Sequence, residues 1–128
     1  MTVTGSTFTN NSSGGDTAGM AIGNAGTLTI TQSLFVGNSA GVGGLNAGAL
    51  RNDSSGTLTL VESTVRNTAG PPAGIYNEGA ATILRSTLNN NAGAIVSAGG
   101  AVSIANSTLT ENGGLIGRAG GVTNVSGA

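Results

Sequence analysis

The stretch Thr27-Leu28-Thr29-Ile30-Thr31-Gln32-Ser33-Leu34-Phe35-Val36-Gly37-Asn38 decides the fold. Its first five residues alternate threonine with Leu28 and Ile30, a period of two that predicts a strand with one apolar and one hydroxyl face. Gln32-Ser33 interrupts that alternation. Phe35 is the inward residue of a second short strand, which Gly37-Asn38 closes. Further on, Ala49-Leu50-Arg51-Asn52 reads as a third short strand, and Ser55-Gly56 turns the chain back. Three short strands joined by Gly, Asn and Ser corners describe one coil of a β-helix.

The rest of the chain repeats that coil. Aligned on Ser6, Ser33, Ser63, Ser86 and Ser107, the copies lie 27, 30, 23 and 21 residues apart, the range of solenoid repeats. Three residues before each serine stands Val3, Ile30, Leu60, Ile83 or Ile104, and two after it Phe8, Phe35, Val65, Leu88 or Leu109. Met1, Leu28, Leu58, Ala81 and Val102 form a further inward column. Thr2, Thr29, Thr59, Thr82 and Ser103 form an outward hydroxyl ladder. One corner ladder reads Asn11, Asn38, Asn91, Asn112, broken by Thr68; a second reads Asn24, Asn52, Asn77, Ser97, Arg118. Stacked amides at a spacing of about 4.8 Å can bond to the coils above and below. Gly26, Gly56, Gly79 and Gly100 mark the turn before each first strand. Length variation falls in 41–48 and in Gly70-Pro71-Pro72. Placing Gly121 with Gly100 puts Val125 in the Ile104 column, Asn124 in the threonine ladder and Ala128 in the serine column. The expected architecture is an all-β, right-handed single-stranded parallel β-helix of about five coils plus a partial sixth, one domain over 1–128.

Composition agrees with a thin aliphatic core. Hydrophobic residues make up 38% of the chain and aromatics 2%, so a thick core of large rings is not available. Charged residues are 7% and net charge is −1, with no lysine, which excludes an electrostatic nucleic-acid binder. No cysteine or histidine is present, so disulfides and thiolate or imidazole metal sites are excluded. Asp16 after Gly14-Gly15 is a single Gly-Gly-Asp, not a repeated calcium motif. No apolar run approaches the roughly 20 residues of a membrane span, and Met1-Thr2-Val3-Thr4 lacks the basic and apolar regions of a secretory signal.

The columns resemble the polymorphic outer-membrane protein repeats of bacterial autotransporter passengers. Phe8-x-x-Asn11 and Phe35-x-x-Asn38 match that family's Phe-x-x-Asn motif; Leu88-x-x-Asn91 and Leu109-x-x-Asn112 carry Leu for Phe; Val65-x-x-Thr68 departs. The companion Gly-Gly-Ala-Ile-like motif appears as Gly19-Met20-Ala21-Ile22, Ala47-Gly48-Ala49-Leu50, Ala73-Gly74-Ile75, Ala92-Gly93-Ala94-Ile95 and Gly113-Gly114-Leu115-Ile116. The resemblance implies a right-handed parallel β-helix, an extracellular or cell-surface location, and adhesive or structural roles. It implies no catalytic site.

For function, the expectation is a structural solenoid rather than an enzyme, with no cofactor, no metal and no membrane insertion. Its expected partner is a second copy of itself, in a homo-oligomer or filament, with surface polysaccharide as the partner in an adhesin reading. Solenoids usually carry caps over their apolar ends and strand edges, and none is legible here. The chain therefore reads either as a segment of a longer β-helix or as a unit that stacks head to tail, an open heterologous contact, through Met1, Val3, Phe8, Val122 and Val125. Val61 and Leu84 turn one outward file apolar, a candidate lateral contact. Asn10, Asn11, Asn52, Asn106 and Asn124 head Asn-x-Ser/Thr sequons and are candidate glycan acceptors. Polysaccharide-cleaving enzymes also use this fold. Asp53 and Glu78, beside Arg51 and Tyr76, are the best carboxylate pair for that chemistry, and a charge-compensated corner is the plainer reading of them. Glu62 and Arg85 are expected to form an exposed ion pair. Ice binding by Thr2-x-Thr4 and Thr29-x-Thr31 is disfavoured because the later copies read Thr59-x-Val61, Thr82-x-Leu84 and Ser103-x-Ala105.

Overall fold

A computed structural model describes residues 1–13, 19–40, 48–70, 73–113, 116–118 and 122–126, all strand, turn or corner, with no helix among them. The period-two segments become a first parallel sheet: Thr2–Thr4, Thr27–Thr31, Thr57–Val61, Ala80–Leu84, Ala101–Ala105 and Val122–Ser126, stacked in chain order. The short strands after each serine form the second sheet, Thr7–Thr9, Leu34–Val36, Thr64–Arg66, Thr87–Asn89 and Thr108–Thr110. A third holds Gly19–Asn24, Gly48–Asn52, Ala73–Asn77, Ile95–Ala98 and Ile116–Arg118. Ser12–Ser13 pairs with Ser39–Ala40 in a small fourth sheet. Every neighbouring pair is parallel and separated by one repeat, so each strand lies on the corresponding strand of the next coil. Five rungs on the second and third sheets enclose four steps. The fold is a parallel β-solenoid of about four turns, fewer than the expected five coils plus a partial sixth.

Register follows the repeat alignment. Val3, Ile30, Leu60, Ile83 and Ile104 stack in one file, and Phe8, Phe35, Val65, Leu88 and Leu109 in another. With Ile22, Leu50, Ile75 and Ile95 from the third sheet, these files make the core. Burying such a side chain stabilises by about 1.5–3 kcal/mol. Phe8 and Phe35 stack with parallel planes and centroids 4.7 Å apart.

Three expectations need correction. Met1 lies in register with the Leu28 column but is 70% exposed, because its rung is the end of the stack. Ser97 pairs with Gly117, and Arg118 with Ala98, so Arg118 is outside the second corner ladder. Val125 does pair with Ile104, but a register shift between Ser103 and Ile104 gives the place beside Ser103 to Thr123 rather than Asn124. Ala128, the loop 41–47 and Pro71-Pro72 lie outside the described residues.

Two corners turn the chain by the same device. The residue before each aligned serine is left-handed: Gly5 (φ 56°), Gln32 (51°), Glu62 (49°), Arg85 (45°) and Asn106 (51°). The same holds one strand later at Asn10 (53°), Gly37 (66°), Asn67 (56°), Asn90 (50°) and Glu111 (54°). A non-glycine residue there costs about 1–2 kcal/mol, so these corners need compensation. The serine ladder supplies it at the first corner. The N–H groups of Ser6, Ser33, Ser63 and Ser86 donate to the Oγ of the serine one rung on, at 3.0–3.1 Å. Each Oγ, Ser107 included, donates to the carbonyl two residues earlier at 2.8–3.0 Å.

At the turn back into the first sheet, Asn24 Nδ2 donates to Asn52 Oδ1 and Asn52 Nδ2 to Asn77 Oδ1, both at 2.8 Å. Here the rungs approach so closely that a Cβ on Gly79 would overlap the Gly56 carbonyl, whereas one on Gly26 would meet nothing within 4 Å. Gly79→Ala should therefore lower stability by about 1–3 kcal/mol, and Gly26→Ala should stay within about 0.5 kcal/mol of the parent, both read by urea denaturation.

Candidate functional site

The proposed end contacts fall on opposite ends of the stack. At one end Val3 and Phe8 are only partly buried, although their column mates Ile30 and Phe35 are fully buried. The Met1 ammonium donates to the Thr27 carbonyl at 2.6 Å, and Thr2–Thr4 forms the edge of the first sheet. At the other end Val122 pairs with Val102 and Val125 with Ile104, and Val122–Ser126 forms the opposite edge. Repeat stacking thus brings Met1, Val3 and Phe8 together and separates them from Val122 and Val125 by the whole solenoid.

The lateral file is real in register. Thr31, Val61, Leu84 and Ala105 are successive neighbours on the outer side of the first sheet. Val61 and Leu84 are half-buried rather than fully exposed; the only strongly exposed large apolar side chain among the described residues is Met1. No charged side chain stands on the described strands of that sheet.

Among the described residues, charge lies at corners and near strand ends away from the first sheet. Arg51 lies between two carboxylates: its Nε donates to Asp53 Oδ1 and its Nη2 to Glu78 Oε2 at 2.9 Å. Its guanidinium carbon sits 5.2 Å from the Tyr76 ring centroid, a cation–π distance. Tyr76 and Val96 point away from the core yet are buried, forming a small apolar cluster on the far side of the third sheet. That burial was not legible from an alternating pattern, which puts Tyr76 on the solvent side. The carboxylates of Asp53 and Glu78 share one arginine, which ties the two corners together and leaves the trio with one net negative charge. Glu62 and Arg85 pair at 3.0 Å with both side chains about half exposed, the surface ion pair expected, and Gln32 Nε2 adds a bond to Glu62 at 3.3 Å. Asp16 lies outside the described residues.

The sequon asparagines are not equivalent. Asn10 and Asn106 sit exposed at left-handed corners. Asn11 is exposed, with its Nδ2 donating to Asn38 Oδ1 at 2.9 Å. Asn52 is fully buried, its amide donating to Gly56 O, Asn77 Oδ1 and Ala80 O. Asn124 lies at the register shift of the last strand. Sequence reading placed a corner at Gln32-Ser33 but missed the left-handed backbone at Gln32, Glu62 and Arg85, since no glycine marks it. Their signal was the invariant step to the aligned serine.

No family model, curated protein or solved structure matches the chain. The likeness to surface-protein repeats thus rests on the motifs alone.

The corner clamp and the surface pair should separate by mutation. Arg51→Met leaves Asp53 and Glu78 facing one another and should destabilise by about 1–3 kcal/mol. Arg85→Met should shift stability by less than about 1 kcal/mol. Paired denaturation curves at one salt concentration check both.

Proposed function

We propose that this chain is a structural β-solenoid of an extracellular or cell-surface assembly, extended head to tail by strand stacking between copies. The observation that carries the reading is the half-buried state of Val3 and Phe8 against the full burial of Ile30 and Phe35 in the same columns. A further rung, from a second copy or from another segment of a longer solenoid, would complete that burial and pair the edge of Thr2–Thr4. Exposed parallel edges of this kind are templates for strand addition.

The hydrogen-bond ladders favour one polarity. The N–H groups of Ser6, Ser33, Ser63 and Ser86 donate to the next rung's Oγ, and those of Asn11, Thr68 and Asn91 to the next rung's Asn Oδ1. Within the described residues, Ser6 Oγ and Asn11 Oδ1 receive no donor, so this end presents acceptors. Two such ends do not complement each other, whereas an acceptor end and a donor end do. Contacts of that type do not close on themselves and lead to open filaments. The Val61 and Leu84 file would then lie along the filament side, available for lateral association.

Negative-stain electron microscopy and sedimentation velocity on the parent chain, Val3→Asp and Val125→Asp test the reading. Filaments or a concentration-dependent ladder of oligomers in the parent, lost in both variants, are expected. Discrete monomers in the parent at all concentrations would overturn it.

A further inference from the structure

The asparagine corner after the second sheet repeats one bonding scheme. Each Oδ1 accepts the N–H of the corner residue one rung back, and each Nδ2 donates to the carbonyl of the inward residue on that earlier rung. Asn38 does this with Asn11 N–H at 3.1 Å and Phe8 O at 3.1 Å. Asn91 does it with Thr68 N–H at 3.1 Å and Val65 O at 3.0 Å. Asn112 does it with Asn91 N–H at 3.0 Å and Leu88 O at 2.8 Å. The third rung breaks the scheme with Thr68, whose side chain is shorter and branches at Cβ.

Thr68 is 2% exposed, and its Oγ1 is the one buried side-chain polar atom without a hydrogen-bond partner among the described residues. By the register of the column, the groups an asparagine here would serve are the Asn38 N–H and the Phe35 carbonyl. Asn38 is itself fully buried, so solvent cannot reach its N–H. By that register, one donor, one acceptor and one hydroxyl able to act as either belong to the corner where the amide is missing.

We propose that a single buried water molecule occupies this break in the ladder. It accepts from Asn38 N–H, donates to the Phe35 carbonyl, and completes its bonding with Thr68 Oγ1. Three bonds is the usual number for a buried water, and such waters satisfy groups that would otherwise be orphaned. The water does the work of the absent amide, which is how the column passes a threonine without losing its stacking.

Two measurements test this on the intact chain. The first is a water–amide Overhauser effect at the Asn38 N–H, seen from a long-lived water in the parent and lost in Thr68→Asn, where the amide reaches both groups itself. The second is the order of melting temperatures. A water-filled site predicts that Thr68→Val melts below the parent, because the water loses a partner, and that Thr68→Asn melts at or above it. A dry site predicts the reverse for Thr68→Val, since removing an unpaired buried hydroxyl relieves its desolvation. Absence of the Overhauser signal in the parent, or a Thr68→Val variant that melts above it, overturns the proposal.

Discussion

The constraint on which the rest depends is the constant rise from one rung to the next. Parallel strands hold neighbouring rungs about 4.8 Å apart, and every other feature has to repeat at that spacing or be excluded. Identical side chains in a column then meet identical partners. A serine hydroxyl finds the N–H of the serine behind it, an asparagine amide finds another amide, and an isoleucine packs on an isoleucine. The same spacing forbids a Cβ at Gly79 and Gly100, where the rungs approach backbone to backbone. Because each rung contacts chiefly its neighbours, stability accrues rung by rung rather than from a single central core.

The polar ladders explain how a chain so poor in charge and aromatic residues makes sharp corners. Left-handed backbone at Gln32, Glu62 and Arg85 is unfavourable in isolation. It persists because the next residue, a buried serine, is bonded through both its N–H and its hydroxyl. Buried polar groups in a low-dielectric interior are stabilising when fully paired and costly when not. That asymmetry makes the corner residues more tightly constrained than their exposure suggests, and it singles out Thr68 as the place where the repeat departs from its own rule.

Much of this was legible in the residues because a repeat reports each position several times. The alternation in Thr27–Thr31 recurs in the later coils, so strand register, the inward columns and both asparagine ladders are legible in the residues themselves. What could not be read lay where copies stop constraining one another. The last strand carries a register shift beside Ser103, which displaced Asn124 from its expected place. Ser97 shortened the second corner ladder, and the step to Gly117 then left Arg118 outside it. Met1 shares a column with Leu28 but is exposed, at the outermost described rung. Tyr76 alternates outward, and its burial depends on contacts beyond its own strand. The candidate sites were less legible than the fold. Column positions say that Asp53, Glu78 and Arg51 are near one another, but only geometry shows one arginine bridging both acids.

Native-state hydrogen exchange at the corner amides tests the central claim most directly. The N–H groups of Ser33, Ser63 and Ser86 donate to a side-chain hydroxyl on the next rung, not to a backbone carbonyl. If the ladders hold the corners, these amides should exchange as slowly as those of the buried strand residues Ile30, Leu60 and Ile83. Exchange at the rate of exposed turns, with the strands still protected, would show that the sheets hold the solenoid together and that the side-chain ladders merely accompany them.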